Sequence, residues 1–406
     1  MKKVVLSGKG ILTGAGSLEY LKELTGKRAV IVTGGSSMIK SGVIARAEGY
    51  LKEAGIDSYV FSGIKKNPSI TQVMEGVSRL REIKPDIILA IGGGSAMDAA
   101  KAMLLFYEFE DLNFDNVLEK NQQGLIPVTR KTQLICVPST SGTGSEVTRG
   151  TVITDEEKRL KVPIMTDCLR PDFAILDAEL TLTMPKRIAA ETGMDALTHA
   201  IEAYTNHNLD DFDEALCMGA IRGILKWLPV SVEEGTLESR KKVHHYQAMA
   251  GIGFANVGLG MVHGIAHSFG AAFDMAHGLT NAIILPYALS YNSRNEVVAE
   301  KLTELSCYCG CQESCHLKEE NNTIQNQNAN DPKAGIIDKI DDLRSRLGIP
   351  KSFQEAGITE AEYLENKELL LDHAMLGATN VNPVKISREV MEKMLDVVYY
   401  GQAIDF

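Results

Sequence analysis

At 406 residues the chain exceeds what one hydrophobic core usually supports, so two domains are expected. Its 42 basic residues against 53 acidic ones give a formal charge of −11 with no basic run, which argues against nucleic acid as a partner. The first residues carry two lysines but no uninterrupted apolar core, and no later apolar run approaches the eighteen or so residues of a membrane span, so a cytoplasmic protein with no membrane partner is expected.

Within residues 1–182 short apolar runs alternate with amphipathic stretches. RAVIVTGG (28–35) is a β-branched run closed by a glycine pair, and a helical pattern follows through about Ala54. YVFSGI (59–64) is a second run, KKNPSI supplies turn material, and a helix follows from about Thr71 to Ile83. PDIILAIGGGSAMDAAKAMLL (85–105) reads as strand, glycine loop and helix in succession. QLICVPST (133–140) is another strand, TVITDEEKRLKVPI (151–164) resembles a hairpin, and FAILDAEL (173–180) closes this half. Strands separated by helices indicate βαβ units, so the expected fold is an α/β domain with a mostly parallel sheet.

Two loops in this half carry chemistry. Gly92, Gly93, Gly94 and Ser95 follow a strand and open a helix, where unencumbered backbone N–H groups can approach a phosphate at the positive helix end. Ser95 and Asp98 also have capping-box spacing. The bland alternative is a tight turn, because the loop lacks the GxGxxG fingerprint. VPSTSGTGSEVT (137–148) offers hydroxyls and exposed amides to a polyol, a diphosphate or a carboxamide, although such clusters are often plain loops.

Residues 183–406 read as a second, all-helical domain, with apolar residues at three- and four-residue spacing. ESCHLKEENNTIQNQNANDP, near 312–332, reads as a solvated loop. GMDALTHAIEAY (193–204) places Asp195 and His199 four apart on one helical face, and GIGFANVGLGMVHGIAHSFGAAFDMAHG (251–278) embeds His263, His267 and His277 among small and apolar residues. One carboxylate with up to four imidazoles suits a divalent ion such as iron(II) or zinc. For any single histidine the bland reading is a hydrogen-bonded core imidazole. His244 and His245 in KKVHHYQ read as solvent-facing. Seven cysteines, an odd number, argue against a disulfide framework, and Cys307, Cys309, Cys311, Cys315 and His316 form a patch with a weak claim to zinc or redox chemistry.

Taken together, GGGSAMDAAKA, PSTSGTGSEVT, GMDALTHAIEAY and GMVHGIAHSFGAAFDMAHG resemble the iron-containing alcohol dehydrogenase family in order and spacing, over nearly the whole chain. The resemblance implies that Asp195, His199, His263 and His277 hold the metal, with His267 a catalytic or substrate-orienting neighbour. It implies that Gly92 to Ser95 cradle a pyrophosphate and that Thr140, Thr143, Thr148 and Lys161 lie along NAD or NADP, with Asp98 beside them. The implied reaction is reversible hydride transfer between a small alcohol or aldehyde and the nicotinamide, with the active site in the cleft between the domains and a homodimer by family habit. Gly34, Gly35 and Ser36, at the tip of an early strand, offer donors and no carboxylate, which favours NADP. A zinc-dependent polyol dehydrogenase of the glycerol type and a metal- and nucleotide-binding protein without redox turnover are the alternatives.

One point sets spacing against resemblance. Fourteen residues separate His263 from His277, about 21 Å along a straight helix, far beyond the reach of one ion. Spacing alone would pair His263 with His267, four apart on one face, but the resemblance selects His263 and His277, so it implies that the chain folds back between them, at Gly270 or in FDMAHG.

Overall fold

The computed structural model describes residues 3–158, 160–311, 316–317, 324–325 and 335–406. Six strands form one parallel sheet: β1 (Gly10–Thr13), β2 (Arg28–Thr33), β3 (Asp57–Phe61), β4 (Ile87–Gly92), β5 (Gln133–Pro138) and β8 (Phe173–Leu176), in spatial order β1-β8-β5-β4-β2-β3. β4 is buried along its whole length and β2 along all but its first residue, which is why both read as continuous apolar runs. β6 (Gly150–Asp155) and β7 (Leu160–Met165) form the antiparallel hairpin that 151–164 suggested.

Helices cover both faces of the sheet. α1 (Ser37–Lys40) and α2 (Val43–Glu53) follow β2, α3 (Ile70–Ile83) follows β3, and α4 (Gly94–Glu108) follows β4, with α5 (Val117–Gln122) leading towards β5. Ala47 and Leu51 of α2 pack with Ile31 and Leu89 on one face; Val77 of α3 and Met97 of α4 pack with Val30 and Ile88 on the other. The loops after β2, β4 and β5 thus share one sheet edge, the carboxyl ends of the parallel strands, where ligands of such folds bind.

The rest of the chain is a helical body. Its first helices are α6 (Lys186–Thr205), α7 (Asp211–Glu233), α8 (Leu237–Val257), α9 (Met261–Ala272), α10 (His277–Asn292) and α11 (Glu296–Tyr308). After a short strand pair, β9 (His316–Leu317) with β10 (Ile324–Gln325), come α12 (Ile336–Arg346), α13 (Glu360–Ala374) and α14 (Arg388–Tyr400). One large core joins them, including Leu197 and Ile201 of α6, Ile265 and Phe269 of α9, and Ile283 and Leu289 of α10. From Ala189 onward α6 is buried nearly all round, so the polar side chains it carries must find partners inside the protein. One described helix, α7, is long and apolar enough to cross a membrane, which the sequence reading overlooked; 56% of its most apolar window is buried within the protein.

Candidate metal centre and cofactor cleft

The metal side begins on α6. Asp195, His199 and Glu202 lie at i, i+4 and i+7, so they project from one face. α8 and α9 meet at a bend of 104°, and the turn between them uses Gly258 at φ 106, a left-handed value that only glycine adopts freely. The bend delivers the first turn of α9 to the side of α6. There Val262 N donates to Glu202 Oε1 at 2.8 Å, Met261 N donates to Asn382 Oδ1 at 3.1 Å, and His263 Nδ1 bonds Glu202 Oε2.

α9 ends at Ala272 and α10 starts at His277, so the chain folds back through FDMA, with Asp274 at φ 48. Gly270 is inside α9 and is not the break. The reversal turns His277 back towards α6. Asp195 Oδ1 lies 4.0 Å from His199 Nε2, 3.9 Å from His263 Nε2 and 3.7 Å from His277 Nε2. One donor atom from each of these four residues falls within 4.8 Å of all the others. A tetrahedral ion with bonds of about 2.1 Å holds its ligand atoms about 3.4 Å apart, so small adjustments would close the group on one ion. The donor set therefore fits iron(II) or zinc.

The electrostatics agree with a cation here. Burial holds His199, His267 and His277 well below the usual imidazole range, with neighbouring imidazoles or Lys161 adding to the effect, so each is neutral and keeps a lone pair. Burial also raises the Asp195 carboxyl to about 6, against the opposing pull of His263. Asn281, one turn beyond His277 on α10, donates through Nδ2 to Asp195 Oδ1 at 2.6 Å and faces His263 Nε2 at 3.1 Å and His277 Nε2 at 3.2 Å. His267 stands apart from the four donors: its ring stacks on His277 at 5.1 Å between centroids and meets His263 edge-on at 6.0 Å.

These residues open onto a cavity of about 430 Å³. His199, His263, His267 and His277 line it from the helical side, while Gly94, Ser95, Asp98, Thr143, Thr148 and Lys161 line it from the sheet side. Gly92, Gly93 and Thr140, with Gly34, Gly35 and Ser36, lie beyond that lining along the strand ends. A Cβ on Gly92 would stand 3.7 Å from Gly34 N, and one on Gly93 would stand 3.4 Å from Thr140 Oγ1. Gly94 has no room for a side chain at all, because a Cβ there would lie 2.6 Å from Thr143 Cγ2. The glycine loop and the hydroxyl loop are thus packed directly on each other.

What holds the hydroxyl loop was not foreseen. Lys101, fully buried on α4, donates from Nζ to Ser145 O at 2.6 Å, Gly150 O at 2.9 Å and Thr148 O at 3.0 Å. Burial pushes its ammonium below the usual lysine range. Asp98 accepts from Ser145 Oγ at 2.8 Å and from Val152 N at 2.9 Å, so the expected capping box does not form. Gly93 occupies the N-cap, which leaves Ser95 inside the helix and Asp98 free to reach across. His244 is also corrected: it is fully buried, its Nδ1 lies 2.9 Å from Ser141 Oγ, and burial holds its pKa at about 3. The face of α8 bearing His244 and Gln247 packs under this loop, with Gln247 accepting from Gly144 N at 3.0 Å. Lys161, on β7, is brought down to about 8 by burial and by Lys66.

In the cysteine patch, Cys307 is disulfide-bonded, whereas Cys309 and Cys311 are free. Burial pushes the Cys309 thiol up to about 12, which disfavours the thiolate that metal binding needs. Cys315, the side chain of His316 and most of the polar stretch at 312–332 fall outside the described residues.

Comparison with known proteins identifies the family. Residues 8–178 match the family model described as iron-containing alcohol dehydrogenase, and residues 189–399 match the C-terminal model of the Fe-containing alcohol dehydrogenase family. An NADPH-dependent butanol dehydrogenase of Clostridium saccharobutylicum is 40% identical over 399 residues, covering 98% of each chain. The iron-containing alcohol dehydrogenase of Thermococcus thioreducens has a TM-score of 0.85 at 32% identity, covering 98% of this chain and all of its own. A 1,3-propanediol oxidoreductase structure has a TM-score of 0.86 at 28% identity, with the same coverage. With both halves of the sequence matched in order, the chain belongs to the iron-containing alcohol dehydrogenase family, oxidoreductases acting on CH–OH groups.

Proposed function

We propose that the chain is an iron(II)-dependent, NADPH-preferring dehydrogenase of small, largely apolar alcohols and aldehydes, with Asp195, His199, His263 and His277 as the metal ligands. The observation that carries this reading is the convergence of one carboxylate and three imidazoles within 4.8 Å, on a cavity shared with the glycine loop. Bound there, the cation would supply Lewis acidity to the substrate oxygen.

The chain's own residues account for the remaining work. Gly94 and Ser95 present amides at the start of α4 to the cofactor's phosphates, and Thr143, Thr148 and Lys161 continue the same wall. Gly92, Gly93, Thr140 and Asp98 shape the loops behind them. Gly34, Gly35 and Ser36 leave room and donors for a 2′-phosphate, a preference supported by the NADPH dependence of the butanol dehydrogenase relative. His267, beside His277 and lining the cavity, orients the substrate hydroxyl and passes its proton outward. Phe254, Leu259, Ala378 and Val381 face the same space and suit an alkyl chain better than a polyol.

The reading places the boundary between a nucleotide-binding domain and a metal-binding domain at about residue 182. It extends to a cytoplasmic homodimer on family resemblance alone. Purified protein loaded anaerobically with iron(II) should oxidise NADPH with butyraldehyde faster than NADH. A strong preference for NADH, or a better rate with glycerol and zinc, would overturn the respective part. His263→Ala and His277→Ala should lose bound metal, while His267→Ala keeps it and loses turnover; metal retained in the His277 variant with an empty His267 variant would overturn the assignment.

A further inference from the structure

Glu202 is a carboxylate that the proposed reaction does not use, yet it is 5% exposed and both of its oxygens are committed. Oε1 accepts from Val262 N at 2.8 Å, and Oε2 bonds His263 Nδ1. Space around it is tight, since a Cβ on Gly260 would come within 2.9 Å of Oε1. A buried carboxylate with no hydrophobic role is costly unless it is fully hydrogen-bonded, so its placement calls for a reason.

We infer that Glu202 is a positioning residue of the metal centre: it fixes His263 as the tautomer whose Nε2 lone pair faces Asp195. A carboxylate can only accept, so the proton between Oε2 and Nδ1 belongs to the imidazole. With Nδ1 protonated, neutral His263 has its lone pair on Nε2. Independent support comes from the opposite side of the ring, where Asn281 Nδ2, a donor only, faces that Nε2 at 3.1 Å. A carboxylate behind a ligating imidazole also raises its basicity and locks the ring's rotation. The same carboxylate grips the first turn of α9 through Val262 N, so a single side chain sets both where the helix starts and which nitrogen it offers.

This inference rests on the ligand set proposed above, and Glu202→Gln separates it from a merely structural role. The glutamine is isosteric and has one acceptor and one donor in place of two acceptors. If its oxygen keeps Val262 N, its NH₂ meets Nδ1, and His263 must carry its proton on Nε2, where the metal belongs. If its oxygen takes Nδ1–H, its NH₂ opposes the N–H of Val262.

Zinc(II) affinity, measured by competition with a chromophoric chelator, should fall about 10- to 100-fold in the variant. The melting temperature of the metal-free variant should stay close to that of the metal-free wild type. A wild-type zinc(II) affinity in folded Glu202→Gln overturns the inference. Should that variant not fold, Glu202→Asp keeps the charge but is a methylene too short to hold both partners; wild-type affinity there overturns the inference equally. A wild-type protein that binds no zinc(II) or iron(II) would instead defeat the ligand assignment, with the cause visible before any variant is made.

Discussion

Gly278→Ala tests whether the metal centre is set by backbone packing as well as by its ligands. Gly278 follows His277 in the first turn of α10, where the helix lies against α6. A Cβ at this position would stand 2.2 Å from Glu191 O, 2.6 Å from Glu191 C and 3.3 Å from Asp195 Cβ. Carbon and carbonyl oxygen approach ordinarily to about 3.3 Å, so the helices must part by about 1.1 Å, and a helical carbonyl cannot rotate aside. Metal sites tolerate ligand displacements of only about 0.2 Å. His277 and Asp195 sit on opposite sides of the forced gap, so metal affinity should drop at least about tenfold, with an overpacking cost of about 1–3 kcal/mol in stability. Gly219→Ala is the control, because its nearest contact is the flexible end of Met249 at 3.0 Å. Chelator competition on the metal-free proteins, with thermal melts alongside, gives both quantities. A folded Gly278→Ala protein with wild-type metal affinity would refute the reasoning.

Lys161→Met addresses pH. Burial and Lys66 bring the Lys161 ammonium down to about 8, so its charge is present below that pH and lost above it. The KM for NADPH should rise as pH passes upward through about 8, later if the bound anion holds the proton on, and the variant should be flat there; an unchanged profile in the variant counts against the assignment. Lys101→Met should destabilise the fold, because it orphans the carbonyls of Ser145, Thr148 and Gly150 at about 1–3 kcal/mol each, partly offset by relief of a buried charge. Urea denaturation should show a net loss of about 3 kcal/mol, with weaker NADPH binding, and wild-type stability would contradict the clamp. Cys309→Ser with Cys311→Ser should keep one metal per chain and most turnover; loss of both activity and a second metal would show that the patch has a role in the reaction.

The parts legible in the sequence were those governed by local pattern. β4 and β2 announced themselves as apolar runs because both faces of a parallel sheet are covered, and the glycine loop stood out because a strand led into it and a helix followed. The fold-back before His277 followed once the family resemblance paired His277 with His263, since no straight helix could bring the two to one ion. Glu202 and Asn281 were also within reach: each lies one turn from a histidine already singled out, at His199+3 and His277+4. The three-dimensional partners were not legible. Lys101 sits in an apolar helix three residues after Asp98, but the backbone acceptors that explain its burial are 44 to 49 residues away. His244 looked exposed because lysines precede it, yet the face that decides its fate is determined by the loop packed above it.

The same distinction explains how the centre can be specific although no one segment carries it. No single helix carries enough ligands: α6 brings Asp195 and His199, α9 brings His263 and α10 brings His277. Contacts beyond those of the ligands help bring the helices together. Glu202 secures α9 to α6 through Val262 N, and the missing side chain of Gly278 lets α10 close on Glu191. Since a metal that binds only the folded arrangement stabilises it by RT ln(1 + [M]/Kd), a change that forces the helices apart, as Gly278→Ala does, lowers affinity and metal-free stability together. Removing a ligand such as His277 acts differently: it weakens binding while leaving the helices packed and sparing the metal-free fold. Comparing the melting temperature with and without metal therefore distinguishes residues that hold the ion from residues that hold the helices.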